Sequence, residues 1–248
     1  VQPLQSLSSA VISVEHVVII PFNTGIYTVP EASRLTRVAS PRIRRWLKGY
    51  KFFSGEREHV SPPVWRGQLQ PVDGALALGF LDLMEIRVVD AFLRSGVSWK
   101  TLREAERRGS ELFHSNHPFC TQRFATDGRG IFVDIGPESD EPIILEIINS
   151  QAVFDAITYP FFKDLQFSQD RILERWWPLG DDRSVVVDPR RAFGQPIIAD
   201  RGVPTAILSS AVKATNSIDE IVFWYDVPKS SVVDAIEFED SLGHAKAA

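Results

Sequence analysis

The sequence predicts an α+β fold in three parts: an N-terminal winged helix-turn-helix, a central β-rich connector, and a C-terminal three-helix unit with a helix-turn-helix-like layout. Three observations predict it. Helix-start signals come in close succession near residue 30 and again beyond residue 204. Short β-prone runs bounded by Gly, Asp and Pro fill the middle. Charge is divided between the regions: residues 24–110 carry 15 Lys+Arg against 9 Asp+Glu, and residues 111–248 carry 12 against 22. Such asymmetry is the compositional sign of a nucleic-acid-binding module joined to something else.

The 248 residues are 44% hydrophobic and 24% charged, which suffices for a sizeable core and excludes wholesale disorder. The predicted boundaries are an extension over 1–23, the winged unit over 24–112, the connector over 113–183, the helical unit over 184–240 and a tail over 241–248. One cysteine, Cys120, excludes a disulfide framework and a Cys-rich zinc module, and fits a reducing cytoplasm. The aliphatic run Val17-Val18-Ile19-Ile20 is far shorter than the ~20 residues of a spanning helix, so no membrane partner is predicted. Residues 1–22 stay open between a floppy extension and a strand, over 11–20, that pairs with another chain.

Thr28-Val29-Pro30-Glu31 reads as a capping box, with Val29, Ala32 and Leu35 turned to a core. After a break, Ser40 is the expected N-cap and Pro41 the first residue of a second helix. That helix places Ile43 and Leu47 inward, with Trp46 beside them, and turns Arg42, Arg44, Arg45 and Lys48 elsewhere, with no acid up to Lys51. A wing follows: Lys51-Phe52-Phe53, a turn at Ser54-Gly55, then Arg57 to Val60 and a stop at Ser61-Pro62-Pro63. Residues 80–93 are too apolar all round for a surface helix, so they are expected against the helix-turn-helix or another chain. Ser98 caps one more helix, through Leu112.

In the connector, residues 122–126, Asp127-Gly128 and Ile131-Phe132-Val133 read as a β-hairpin, and residues 143–148 as a further strand. Residues 153–162 read as a short mixed segment and 184–187 as a strand closed by Asp188-Pro189. His114, His117 and Cys120 have metal-ligand chemistry at regular spacing, but there is no fourth ligand nearby, so polar loop residues are the expectation and no metal is predicted. Asp181, Asp182 and Asp188 read as loop chemistry rather than a two-metal site. No site with matched acid, base and nucleophile assembles, so no enzyme and no cofactor are predicted.

Three helices are expected at the C-terminal end, from Thr205 to about Lys213, from Ser217 to near Asp226, and from about Lys229 to Glu239. Residues 205–248 hold 3 lysines against 7 acids, the wrong charge for a phosphate polyanion. Asp219, Glu220, Trp224 and Tyr225 on the middle helix suit a protein interface, although such aromatics equally fill a small domain's own core.

Two resemblances follow. Tyr27-Thr28, with Ser40-Pro41-Arg42-Ile43-Arg44-Arg45-Trp46, resembles the winged helix-turn-helix of MerR-type regulators, over about residues 24–112. Gly194-Gln195-Pro196-Ile197-Ile198, Arg201-Gly202-Val203-Pro204-Thr205 and Ser217-Ile218-Asp219-Glu220-Ile221 resemble the small domain of VapB-like antitoxins. Phe193 departs from that pattern, which usually has glycine or cysteine there. Together the resemblances imply an antitoxin of a VapBC-type pair. It would neutralise a PIN-domain ribonuclease toxin by complex formation and repress its own operon, as a homodimer or a toxin–antitoxin hetero-oligomer. Operator contacts are expected from Ser40, Arg42, Arg44, Arg45, Lys48, Lys51 and Arg57. The alternative is a stand-alone MerR-like regulator that senses a small ligand through the middle domain, with His114, His117 and Cys120 the first residues to test.

Overall fold

A computed structural model describes residues 23–135 and 141–243; the strand considered for residues 11–20 lies outside them. The fold is mixed helix and sheet, and one connected apolar core runs from Tyr27 to Leu242.

Strand β1 (Tyr27–Thr28) leads into α1 (Val29–Thr36), whose capping box forms as expected: Thr28 Oγ1 accepts from Glu31 N at 3.3 Å, and Glu31 accepts from Thr28 N at 2.8 Å. Arg37, left-handed at φ 61°, ends α1. Helix α2 (Ser40–Lys48) begins one residue before its expected start: Ala39 is the N-cap and Ser40 is already helical, with no side-chain cap. The Ala39 carbonyl, not the Ser40 hydroxyl, takes the first amides, those of Arg42 and Ile43. Strands β2 (Tyr50–Ser54) and β3 (Arg57–Ser61) pair antiparallel from Tyr50↔Ser61 to Ser54↔Arg57. Gly49, at φ 70°, admits this hairpin, because a Cβ there would run into the Ser61 carbonyl.

Strand β4 (Ala77–Leu78) pairs with β1, and α3 (Phe80–Arg94) follows. Helix α3 is covered within the chain, by α1 and by the helices that come after it. Helix α4 (Trp99–Phe113) starts on Ser98, whose Oγ accepts from Thr101 N.

The connector is helical where β-structure is predicted. Residues 122–133, read as a hairpin, lie in α5 (Gln122–Ile135); residues 143–148, read as a strand, lie in α6 (Pro142–Asn149). Residues 153–162 lie in α7 (Gln151–Phe162). On α5 the buried residues are Phe124, Gly128, Ile131, Phe132 and Ile135, one face at helical period. Gly128 is therefore a small residue within a packed helix rather than a turn. The deciding force is a cluster of phenylalanine rings around Phe92: Phe132 lies at 5.1 Å, Phe124 at 6.0 Å and Phe154 at 6.2 Å, all with negligible exposure. Such a cluster outweighs two helical glycines costing about 1 kcal/mol each.

A four-stranded antiparallel sheet closes the chain's second half, in the order β5 (Leu165–Phe167), β6 (Leu173–Trp176), β7 (Val185–Val187), β8 (Pro196–Ile198). Arg87 of α3 stacks on Trp176 of this sheet, 4.2 Å from the ring centroid, and its burial lowers its pKa to about 10. Helices α8 (Thr205–Thr215) and α10 (Lys229–Gly243) then pack on the sheet, and α9 (Ile218–Tyr225) packs on those two helices. The last helix runs past its expected end near Glu239, because Leu242 is buried.

Candidate functional site

The basic residues of α2 follow its packing. Ile43, Trp46 and Leu47 are buried, which leaves Arg44, Arg45 and Lys48 exposed and Arg42 half-buried. Ser40 is half-buried at the start of the helix. Arg44 and Lys48 have no ion pair among the described residues. Arg42 is 3.1 Å from Asp90 of α3 and sits over the Trp46 ring at 5.2 Å. Lys51 is bound to Glu58 across the hairpin at 2.9 Å. Arg57 is exposed on the same hairpin, where His59 stacks on Phe52 at 5.3 Å. Structure therefore separates the seven candidates: Arg44, Arg45, Lys48 and Arg57 are open, Ser40 is half-buried, and Arg42 and Lys51 already hold carboxylates.

A cleft of about 750 Å³ opens beside α2, between it and α4. Arg42, Arg45 and Trp46 line one wall, one helical face at i, i+3, i+4. Trp99, Lys100 and Arg103 line the other. Trp46 and Trp99 meet edge to face at 5.2 Å across its floor. The α4 contribution was not foreseen, although Trp99-Lys100 with Arg103 and Arg107 repeats the aromatic-basic pattern of α2 at helical spacing.

His114, His117 and Cys120 are not a polar loop. His114 is exposed, whereas His117 and Cys120 are buried, so the expectation is corrected for those two. The cause is Asp82, a buried acid in the apolar run of α3. Its carboxylate accepts from Gly79 N and Gln68 N, both at 2.9 Å, and from Trp65 Nε1 at 3.0 Å. His117 Nε2 lies 3.0 Å from it. The hub ties the segment after α4 to the start of α3, which is structural work. Glu85 lies one turn on, fully buried; it accepts from Phe119 N at 3.2 Å, and its second oxygen has no partner. Burial pushes the Glu85 carboxyl well above the usual range, which favours its protonated form. No group of three His, Cys, Asp or Glu among the described residues is arranged to hold a metal ion.

The three acids considered for a two-metal site are apart in role. Asp181 and Asp182 are exposed, whereas Asp188 is buried, accepting from Arg175 Nε and Arg190 N at 2.9 Å.

On α9, Ser217 caps Glu220 N, and Ile221 faces the core. Asp219 and Glu220 are exposed, Asp219 paired with Lys229 at 2.8 Å. Trp224 is 59% exposed, while Tyr225 is half-buried against the core. Phe223, not singled out from the sequence, is the most open of all at 83%.

The two motif-bearing ends touch. Tyr27 Oη donates to the Gly194 carbonyl at 2.7 Å, Ile26 N donates to the Phe193 carbonyl at 2.9 Å, and Arg34 pairs with Glu239 at 3.1 Å. Gly194, at φ 81°, cannot carry a side chain, because the Tyr27 hydroxyl occupies the place of its Cβ.

Known proteins match this chain in parts and as a whole. A family model described as "Protein of unknown function (DUF433)" matches residues 185–238. A Mycobacterium tuberculosis (strain ATCC 25618 / H37Rv) protein named "Putative antitoxin VapB45" is 26% identical over 234 residues, covering 87% of this chain and 94% of that protein. The crystal structure of Rv2018 from Mycobacterium tuberculosis superimposes with a TM-score of 0.66 at 22% identity, over 88% of this chain and 100% of that one, and shows the shared fold. The chain is thus similar to an antitoxin-named protein over most of its length. No helix among the described residues is long and apolar enough to cross a membrane.

Proposed function

We propose that the chain is a DNA-binding antitoxin. Residues 24–112 act as a MerR-like winged helix-turn-helix that holds operator DNA, and the C-terminal unit, 184–240, captures a PIN-domain ribonuclease toxin. The carrying observation is the open basic face of α2, with Arg44, Arg45 and Lys48 beside the Arg57 hairpin, in a chain similar to a protein named as an antitoxin. The α1–turn–α2–hairpin succession supports the assignment, since a second helix after a tight turn is the element that reads the major groove. One such unit offers few contacts, so a homodimer on a two-fold operator is the expected assembly. Capture of the toxin falls to α9, where Phe223 and Trp224 are open beside Asp219 and Glu220. The complex then excludes the nuclease from RNA and represses the shared operon.

Two measurements test this reading. Co-expression with the product of an adjacent small reading frame should restore growth and yield a co-purifying complex. Binding to the DNA upstream of the two frames should weaken with salt, with a log–log slope near −4.5 if about five phosphates are neutralised. A flat salt response, or a neighbour that neither poisons cells nor co-purifies, overturns the reading.

A further inference from the structure

The cleft between α2 and α4 carries more positive charge than its own acids balance. Its volume of about 750 Å³ lies within the range of small-molecule sites, roughly 300–1,000 Å³. Arg42 is held by Asp90, and Arg107 by Glu104 and Glu111. Arg45, Lys100 and Arg103 line the same space without a carboxylate at ion-pair distance among the described residues. Arg103 donates from Nη2 to Ser61 Oγ at 2.6 Å and to the Pro62 carbonyl at 2.7 Å, while its Nε has no partner. A half-buried guanidinium without counter-charge is costly, and an anion in the cleft supplies that charge.

The walls specify the rest of the ligand. Trp99 and Tyr50 both border the cleft and keep open ring surface, and Arg45 lies over the Tyr50 ring at 5.6 Å. Three cations match a phosphate monoester, which carries about −1.5 to −2 at neutral pH, better than a single carboxylate. Open indole and phenol faces match a flat heterocycle.

We infer that this cleft is a nucleotide site, with the phosphate on Arg45, Lys100 and Arg103 and the base against Trp99 and Tyr50. The nucleotide is either free in solution or a unit of a nucleic-acid strand. The site shares Arg45 with the operator reading, whose other exposed residues, Arg44, Lys48 and Arg57, do not line the cleft.

Isothermal titration of the full chain with adenosine 5′-monophosphate, adenosine and inorganic phosphate at low salt tests it. The monophosphate should bind saturably and at least about tenfold tighter than either fragment, since charge and stacking act together. Lys100→Ala, on an exposed helical position that tolerates the change, should weaken it about tenfold, and Lys100→Glu more. Trp99→Leu should weaken the monophosphate but not inorganic phosphate. If the monophosphate does not bind but Lys100→Ala lowers affinity for a short single-stranded DNA and reduces its salt slope by about 0.7, the nucleotide belongs to a strand. The inference is overturned if neither monophosphate nor single strand responds to the Lys100 variants, or if the monophosphate binds equally well to Lys100→Glu and Trp99→Leu. Arg44→Ala on the duplex judges the operator reading separately.

Discussion

Helices α2 and α9 occupy equivalent places in two similar arrangements. Each follows a helix and a short turn containing a left-handed residue, Arg37 at φ 61° and Asn216 at φ 54°. Each buries an isoleucine, Ile43 or Ile221, to fix its rotation. Outward, they differ completely. Helix α2 turns Arg44, Arg45 and Lys48 to solvent, and α9 turns Asp219, Glu220, Phe223 and Trp224. On the proposed reading one arrangement serves a polyanion and the other a protein, and the choice lies in residues that do no folding work. A net charge of −5 hides this division, because an excess of bases over residues 24–110 is outweighed by a larger excess of acids over residues 111–248.

The largest expected effects come from breaking each surface in turn. Arg44→Ala with Arg45→Ala should lower duplex affinity about 100-fold at low salt, at roughly tenfold for each charge-assisted contact, and should leave partner capture intact. Phe223→Ala with Trp224→Ala should do the converse, costing the protein complex at least about 2 kcal/mol while DNA binding is unchanged. Gel-shift and pull-down measurements on the parent chain and both double variants decide the matter. A cross-effect, in which either pair damages both activities, dissolves the division of labour.

The cores beneath the two surfaces also contrast, in the response of their buried acids to pH. Burial raises the Glu85 carboxyl in α3, and the hydrogen bonds from the Phe119 amide and Cys120 offset it only in part. Glu85 keeps its proton in the folded chain after the unfolded chain has lost it, so stability falls as pH rises above about 4.5. The slope approaches 1.4 kcal/mol per pH unit until the raised folded value is reached. In the C-terminal unit burial also acts to raise Asp234, but Arg183 and the Ser184 amide outweigh it and hold the carboxyl below its usual value. That group stabilises above its unfolded pKa, and the contribution is lost as pH falls through the lowered folded value. Glu85→Gln should therefore flatten the decline in melting temperature above about pH 5, whereas Asp234→Asn should remove part of the loss on the acid side. Unchanged pH profiles in both variants would show that neither acid governs stability.

The sequence made the two ends more legible than the middle because their signals are local. Thr28 with Glu31, Ser98 with Thr101 and Ser217 with Glu220 are caps closed within four residues, and the three helices they open were foreseen. The α5 and α6 segments depend on contacts across the chain. Ile143, Ile144, Ile147 and Ile148 read equally as a buried strand or a buried helix, and only packing against α5 and α7 chooses. The Asp82 hub was hidden for a related reason: one acid in an apolar run looks incidental until Trp65, Gln68 and His117 converge on it from both sides in sequence. Half of the cleft beside α2 was missed likewise, since α4 reaches it only through the fold. The contact between Tyr27 and Gly194 joins two motifs that the sequence presents as unrelated, 167 residues apart.

The smallest expected effect concerns that junction. Phe193 holds φ 55° and ψ 25°, the left-handed region that favours glycine, so the phenylalanine that departs from the antitoxin-type pattern sits in a strained backbone. Its side chain is 75% exposed, so packing returns little for the strain. Phe193→Gly should relieve about 1–2 kcal/mol of backbone strain and give back part of it as unfolded-state entropy, for a net gain of up to about 1 kcal/mol. The gain should appear as a higher denaturant midpoint with an unchanged m-value. The Ile26 amide keeps its acceptor, because it bonds to the Phe193 carbonyl rather than the ring. If stability rises and toxin capture weakens, the strained ring belongs to the same protein-facing surface as Phe223 and Trp224. A fall in stability would mean that the ring packs against something in the folded chain, and the contrast between a folding-neutral surface and its scaffold would fail at this residue.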